Sequence, residues 1–209
     1  MSKILNKTIV ALVFLMLLLV STLYAEESYT FKTNETEFIG SVAKEKGDKK
    51  TISFVGIPFA KPPVGDLRWK APRELDGYPE TFKATTLPNR CMQVSNFYDS
   101  MDGIEGESII GSEDCLYLNI YLSEKAYKSK EKLPVVFWIH GGGNTWGYSA
   151  SNIFTSGDFI LDHDVILVTT NYRLGPFGWF AYSGLNQDSE NPLDSTCLLY
   201  TSDAADDSL

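Results

Sequence analysis

Residues 135–147 read VVFWIHGGGNTWG: five apolar residues run straight into a histidine and three consecutive glycines. Glycine loses more backbone freedom on folding than any other residue, so a triple run is kept where only a bare backbone serves, in a tight turn or where a ligand must come close. The apolar run Leu133 to Ile139 has the length and continuity of a strand buried on both faces of a sheet, and so does DVILVTTNY, Asp164 to Tyr172. Between them, Ser149 to Asp164 is long enough for a crossover with a helical turn or two. Strand, crossover, strand predicts an α/β sheet with a parallel portion. The glycines then fall at the carboxyl edge of that sheet, where open α/β proteins bind their ligands.

Upstream the pattern is different. SYTFKT (Ser28 to Thr33), EFIGSVAKE (Glu37 to Glu45) and KTISFVGIPFA (Lys50 to Ala60) alternate between apolar and polar residues and are separated by turn-formers, which predicts antiparallel strands. KPPVGDLRWKAP, Lys61 to Pro72, carries too many prolines for a helix or central strand and must be held by its side chains. CLYLNIYLS, Cys115 to Ser123, alternates like a half-buried strand.

The first 25 residues have the layout of a secretory signal: Lys3 and Lys7, the apolar run Ile9 to Val20, then a small-residue end at Ala25. A run of that length falls short of a bilayer core of about 30 Å, so cleavage after Ala25 is expected, with a secreted or periplasmic product and no stable membrane anchor. Cleavage moves the formal charge from −9 to −11 by removing the two lysines. An acidic chain without clustered Lys and Arg is a poor partner for nucleic acid or an anionic membrane. Of the three cysteines, Cys91, Cys115 and Cys197, two are expected to pair after export, though the sequence leaves the pairing open. A Cys91–Cys115 bond would clip a polar, glycine-bearing loop, a closure that contributes about 3 to 4 kcal/mol in the chain-entropy model.

FVGIPFAKPPVGDLRW (Phe54 to Trp69), SEDCLYLNIY (Ser112 to Tyr121), PVVFWIHGGG (Pro134 to Gly143) and NYRLGPFGWF (Asn171 to Phe180) follow one another in the order, and at about the spacing, of type-B carboxylesterases. From about Thr30 to about Asn186 the chain resembles that family, which includes the cholinesterases. The resemblance implies an α/β-hydrolase fold, of which residues 26–196 form the amino-terminal part. It also implies hydrolysis of a small carboxylic ester by a serine, a histidine and an acidic residue, without cofactor or metal. It places the oxyanion-binding amides on Gly142 and Gly143, gives Gly141 the turning freedom of the loop and makes His140 a framework residue. It pairs Cys91 with Cys115 and Arg68 with Glu113. Arg173 is expected to be structural and His163 to sit in a solvated loop or helix end.

Two departures bear on substrate. Asn144 stands where the family usually has a bulky aromatic, with Trp146 two places on. The loop between Cys91 and Cys115 holds Phe97 and Tyr98 but lacks the tryptophan that stacks on choline in cholinesterases, so choline esters are disfavoured. The chain contains no G-x-S-x-G, the strand-to-helix turn that carries the nucleophile, and CLLYTSDAADDSL, Cys197 to Leu209, matches nothing expected of the family. That tail is expected to be non-native or frame-shifted sequence and this chain an inactive portion of its parent, which the resemblance and the signal layout predict to be a secreted serine esterase. Turnover by the chain itself would require a serine such as Ser149 or Ser183. The alternative is a non-catalytic adhesion or binding member of the same fold, which would carry an inert residue in place of the nucleophile.

Overall fold

The computed structural model describes residues 27–101, 103–104, 106–129, 132–151, 158–180, 182, 184 and 194. The expected signal (1–25), Ser183 and the tail with Cys197 lie outside them.

Three antiparallel strands open the chain, β1 (Ser28–Lys32), β2 (Glu37–Lys46) and β3 (Lys49–Pro58), with short β4 (Thr81–Lys83) parallel to β2. Strand β7 (Tyr117–Ser123) lies against β3; the pair β8 (Val135–Ile139) and β9 (Ile166–Thr170) completes a sheet ordered β1-β2-β3-β7-β9-β8. β7 is antiparallel to β9, and β8 is parallel to β9 with Val135 opposite Ile166 and Ile139 opposite Thr170. The sheet is therefore antiparallel at its start and parallel at the glycine run. Among the described residues, the crossover from β8 to β9 contains one short helix, here α3 (Asp158–Asp162).

The loop between the cysteines has structure of its own. It holds a two-stranded piece, β5 (Gln93–Val94) with β6 (Ile109–Ile110), and the single-turn helix α1 (Phe97–Met101). Neither was expected from a stretch rich in polar residues and glycine. After β7, the helix α2 (Glu124–Ser129) turns back toward β1, where Tyr29 Oη donates to Glu124 at 2.7 Å and Tyr127 Oη donates to Thr30 O at 2.7 Å.

Period-two alternation divides the side chains between two faces. On one, Val55, Tyr121 and Leu167 are buried under Ile160 of α3. On the other, Phe54, Ile52 and Ile57 pack with Tyr29 and Phe38, but that cover ends before β8 and β9. The sequence pattern predicts burial of β8 on both faces. Among the described residues this does not hold, because β8 is the edge strand and the second face has nothing over it: Val135 is 60% exposed, Phe137 55% and Ile139 61%.

Candidate active site

His140, the residue that follows β8, is fixed from three sides. It is 2% exposed, its ring stacks on Tyr172 with centroids 4.4 Å apart, and its carbonyl accepts from Tyr172 Oη at 2.8 Å. Nδ1 lies 3.0 Å from Gly141 O, so Nδ1 is the donor and Nε2 is left as a buried acceptor with no partner among the described residues. Burial holds the imidazole below its ordinary pKa, in the neutral form.

The turn itself runs through left-handed backbone. Gly142 has φ +123° and Gly143 φ +60°, followed by Asn144 at +59° and Gly147 at +133°. A Cβ on Gly142 would sit 1.8 Å from Trp146 O, and one on Gly147 would sit 2.0 Å from His140 Nδ1. Gly141 lies outside the left-handed range and a Cβ there would meet nothing within 4 Å, so the conformational demand for glycine falls on Gly142, Gly143 and Gly147. Gly142 O accepts from the Thr145 and Trp146 amides at 3.1 and 3.2 Å, closing the turn. Asn144 O accepts from Gly175 N at 2.8 Å and Trp179 Nε1 at 3.1 Å, which ties the loop to α4 (Gly175–Trp179). With the carbonyls so engaged, the Gly142 and Gly143 N–H groups meet no acceptor among the described residues.

A buried polar network holds the strand ends beneath the loop. Asn119, Ser149, Thr169 and Asn171 are each 1% exposed or less. Asn119 Nδ2 donates to Ser149 Oγ at 3.0 Å and Thr169 Oγ1 at 3.1 Å, and its Oδ1 accepts from Gly56 N at 2.9 Å. Asn171 Oδ1 accepts from Ser149 N at 2.9 Å. Ser149 is thus an enclosed member of a bonded network, not a free nucleophile.

The other residues singled out by the sequence surround this centre. Cys91 and Cys115 form a disulfide, both buried. Arg68 pairs with Glu113 through Nε to Oε2 at 2.5 Å and Nη2 to Oε1 at 2.6 Å, a two-pronged contact that further favours the charged guanidinium. Arg173 is 4% exposed and donates to Lys70 O at 2.8 Å. His163 is exposed just past α3, against Phe159. Two anchors had no sequence signal. Asp194, 1% exposed, takes Arg73 Nη2 on both oxygens at 2.6 Å and the Ala71 amide at 3.0 Å, and so holds the proline-rich segment. Gln93 contacts the glycine loop directly.

The pattern of the carboxylesterase family matches residues 27–191. The chain belongs to that family. This carboxylesterase-family chain is 42% identical to the juvenile hormone esterase of Tribolium castaneum over 143 residues, 68% of this chain and 23% of that protein. It is 36% identical to acetylcholinesterase-1 of Trittame loki, over 75% of this chain and 28% of the relative, and 38% identical to cocaine esterase of Oryctolagus cuniculus, over 71% and 28%. A solved PNB esterase superposes with a TM-score of 0.63 at 32% identity, covering 79% of this chain and 32% of the esterase. The fold is that of the α/β-hydrolases, and the chain spans about a quarter of the length of these curated relatives.

Proposed function

We propose that the glycine loop is the oxyanion-binding part of a secreted serine hydrolase acting on carboxylic esters, and that the nucleophile, base and acid of that enzyme lie outside this chain. When a serine Oγ adds to the ester carbonyl, the C=O π pair moves onto oxygen. The base takes the Oγ proton as that bond forms, and the N–H groups of Gly142 and Gly143 donate to the new oxyanion; collapse breaks the ester C–O bond as the base passes its proton to the departing alcohol, then water adds to the acyl-serine with its proton going to the base, and a second collapse releases the acid as that proton returns to Oγ. The observation that carries this reading is the pair of consecutive amides with no acceptor among the described residues, held in left-handed backbone just past the carboxyl end of a parallel strand. Esterase relatives that share this part of the fold support it.

The test has two parts. The gene is read past codon 196 from an independent clone, and the uninterrupted product is assayed on phenyl acetate and phenyl butyrate with and without a serine-directed organophosphate. A G-x-S-x-G segment and inhibitable turnover are expected. An inert residue at the nucleophile position would favour the non-catalytic binding member of the fold.

A further inference from the structure

Gln93 is 6% exposed and sits two residues after Cys91 in the disulfide-closed loop. Its carboxamide is fully used: Nε2 donates to Gly147 O at 2.8 Å and to Cys91 O at 3.0 Å, while Oε1 accepts from Gly147 N at 2.8 Å. One side chain thereby pairs with both backbone groups of a single residue, as a neighbouring strand would. Only a carboxamide of this length offers a donor and an acceptor side by side; a carboxylate would set its charge against the Gly147 carbonyl. Gly147 in turn presses on the His140 ring closely enough to exclude any side chain, and it follows Trp146, whose amide closes the turn on Gly142 O.

We propose that Gln93 is a positioning residue for the oxyanion loop: by clamping Gly147 it fixes the exit of the 141–147 turn and so the direction of the Gly142 and Gly143 N–H groups. The role in catalysis rests on the esterase reading above; the clamp itself does not. Loss of the clamp leaves the fold of the sheet in place, since β1 to β3, β7 and β9 make no use of it, but lets the amides wander from the place where charge develops. A misplacement of about 1 Å in such a site costs on the order of 100-fold in rate.

The test compares Gln93→Met, which fills the same space without either bond, and Gln93→Glu, which keeps the acceptor for Gly147 N and gives up the donor. Hydrogen exchange of residues 141–147 is followed in the 209-residue chain, with the β2–β3 amides as internal reference. Exchange at 141–147 is expected to rise about tenfold or more in Gln93→Met and by at least as much in Gln93→Glu, whose charge faces the Gly147 and Cys91 carbonyls, with the reference unchanged. In the uninterrupted gene product, kcat is expected to fall about 10- to 100-fold with KM changed less than about threefold. If Gln93→Met also loosens the reference, Gln93→Glu decides. Unchanged exchange at 141–147 overturns the clamp. Raised exchange with unchanged kcat overturns the positioning role. An inactive wild-type gene product overturns the esterase reading, and with it the catalytic role, while the exchange result still decides whether the clamp exists.

Discussion

His140 and Gly147 occupy one small volume, and each constrains the other. Gly147→Ala would drive a Cβ into His140 Nδ1 and force a non-glycine residue to φ +133°. Such strain costs of order 1–3 kcal/mol, and the expected readout is faster exchange at 141–147. His140 also predicts a pH dependence. Its folded-state pKa lies below the ordinary 6.5 because burial opposes the charge, so below pH 6.5 the unfolded chain takes up a proton that the folded one refuses. The stabilising contribution is complete above 6.5 and is lost as pH falls through 6.5 toward the depressed value. Urea titrations of the uninterrupted gene product between pH 5 and 8 should show this acid-side loss in the wild type and a smaller loss in His140→Asn. Equal slopes would mean that the ring is charged in the fold.

At the scale of elements, the disulfide and the Asn119 network hold the strands to the loops. Proteolysis without reductant should release a peptide joined through Cys91 and Cys115, and Cys115→Ser should cost about 2–5 kcal/mol and loosen β5, β6 and α1 before the main sheet. Asn119→Leu leaves the half-buried Gly56 amide without its acceptor and breaks the tie between Ser149 and Thr169, at about 1–3 kcal/mol for each buried group left unsatisfied. Much of this level was legible beforehand. Period-two alternation marks β1, β2, β3 and β7, which set apolar side chains on one face and polar or smaller ones on the other, although in β3 both faces are covered from Thr51 to Val55. The apolar continuity of 133–139 and 164–172 marks β8 and β9, but continuity reports only that both faces are apolar, not that both are covered. That is why β8 reads as buried from sequence and stands at an edge in the structure. The resemblance of four segments located the glycine loop and the cysteine and Arg68–Glu113 pairs. Gln93 and Asp194 had no such signal: a lone polar residue in a polar loop has no periodicity, and only the folded chain reveals that Gln93 faces a backbone 54 residues away.

For the whole molecule, the uncovered face and the outer edge of β8 dominate behaviour in solution. Leu118, Ile120, Leu122, Ile166 and Val168 line an apolar groove of about 490 Å³ that continues onto exposed Val135. A chain begun at Glu26 should bind a hydrophobic dye, self-associate at micromolar concentration and melt without a single sharp transition; a monomer with one cooperative melt and no dye binding would mean that this face is closed in solution. Its hydrolysis of phenyl acetate should equal that of an inert protein, since Ser149, the described serine nearest the loop in sequence, is enclosed. The sheet order also sets a timetable for the ribosome. β1, β2 and β3 can zip together as soon as they emerge, but the free side of β3 is completed by β7, whose first residue is Tyr117 against Pro58, and β1 is latched by Glu124 and Tyr127 of α2. At about 5–20 residues per second the nascent hairpins wait several seconds with an open edge. Lys49 and Lys50 open β3, the strand left waiting, and charge on such a strand discourages pairing with a neighbouring nascent chain.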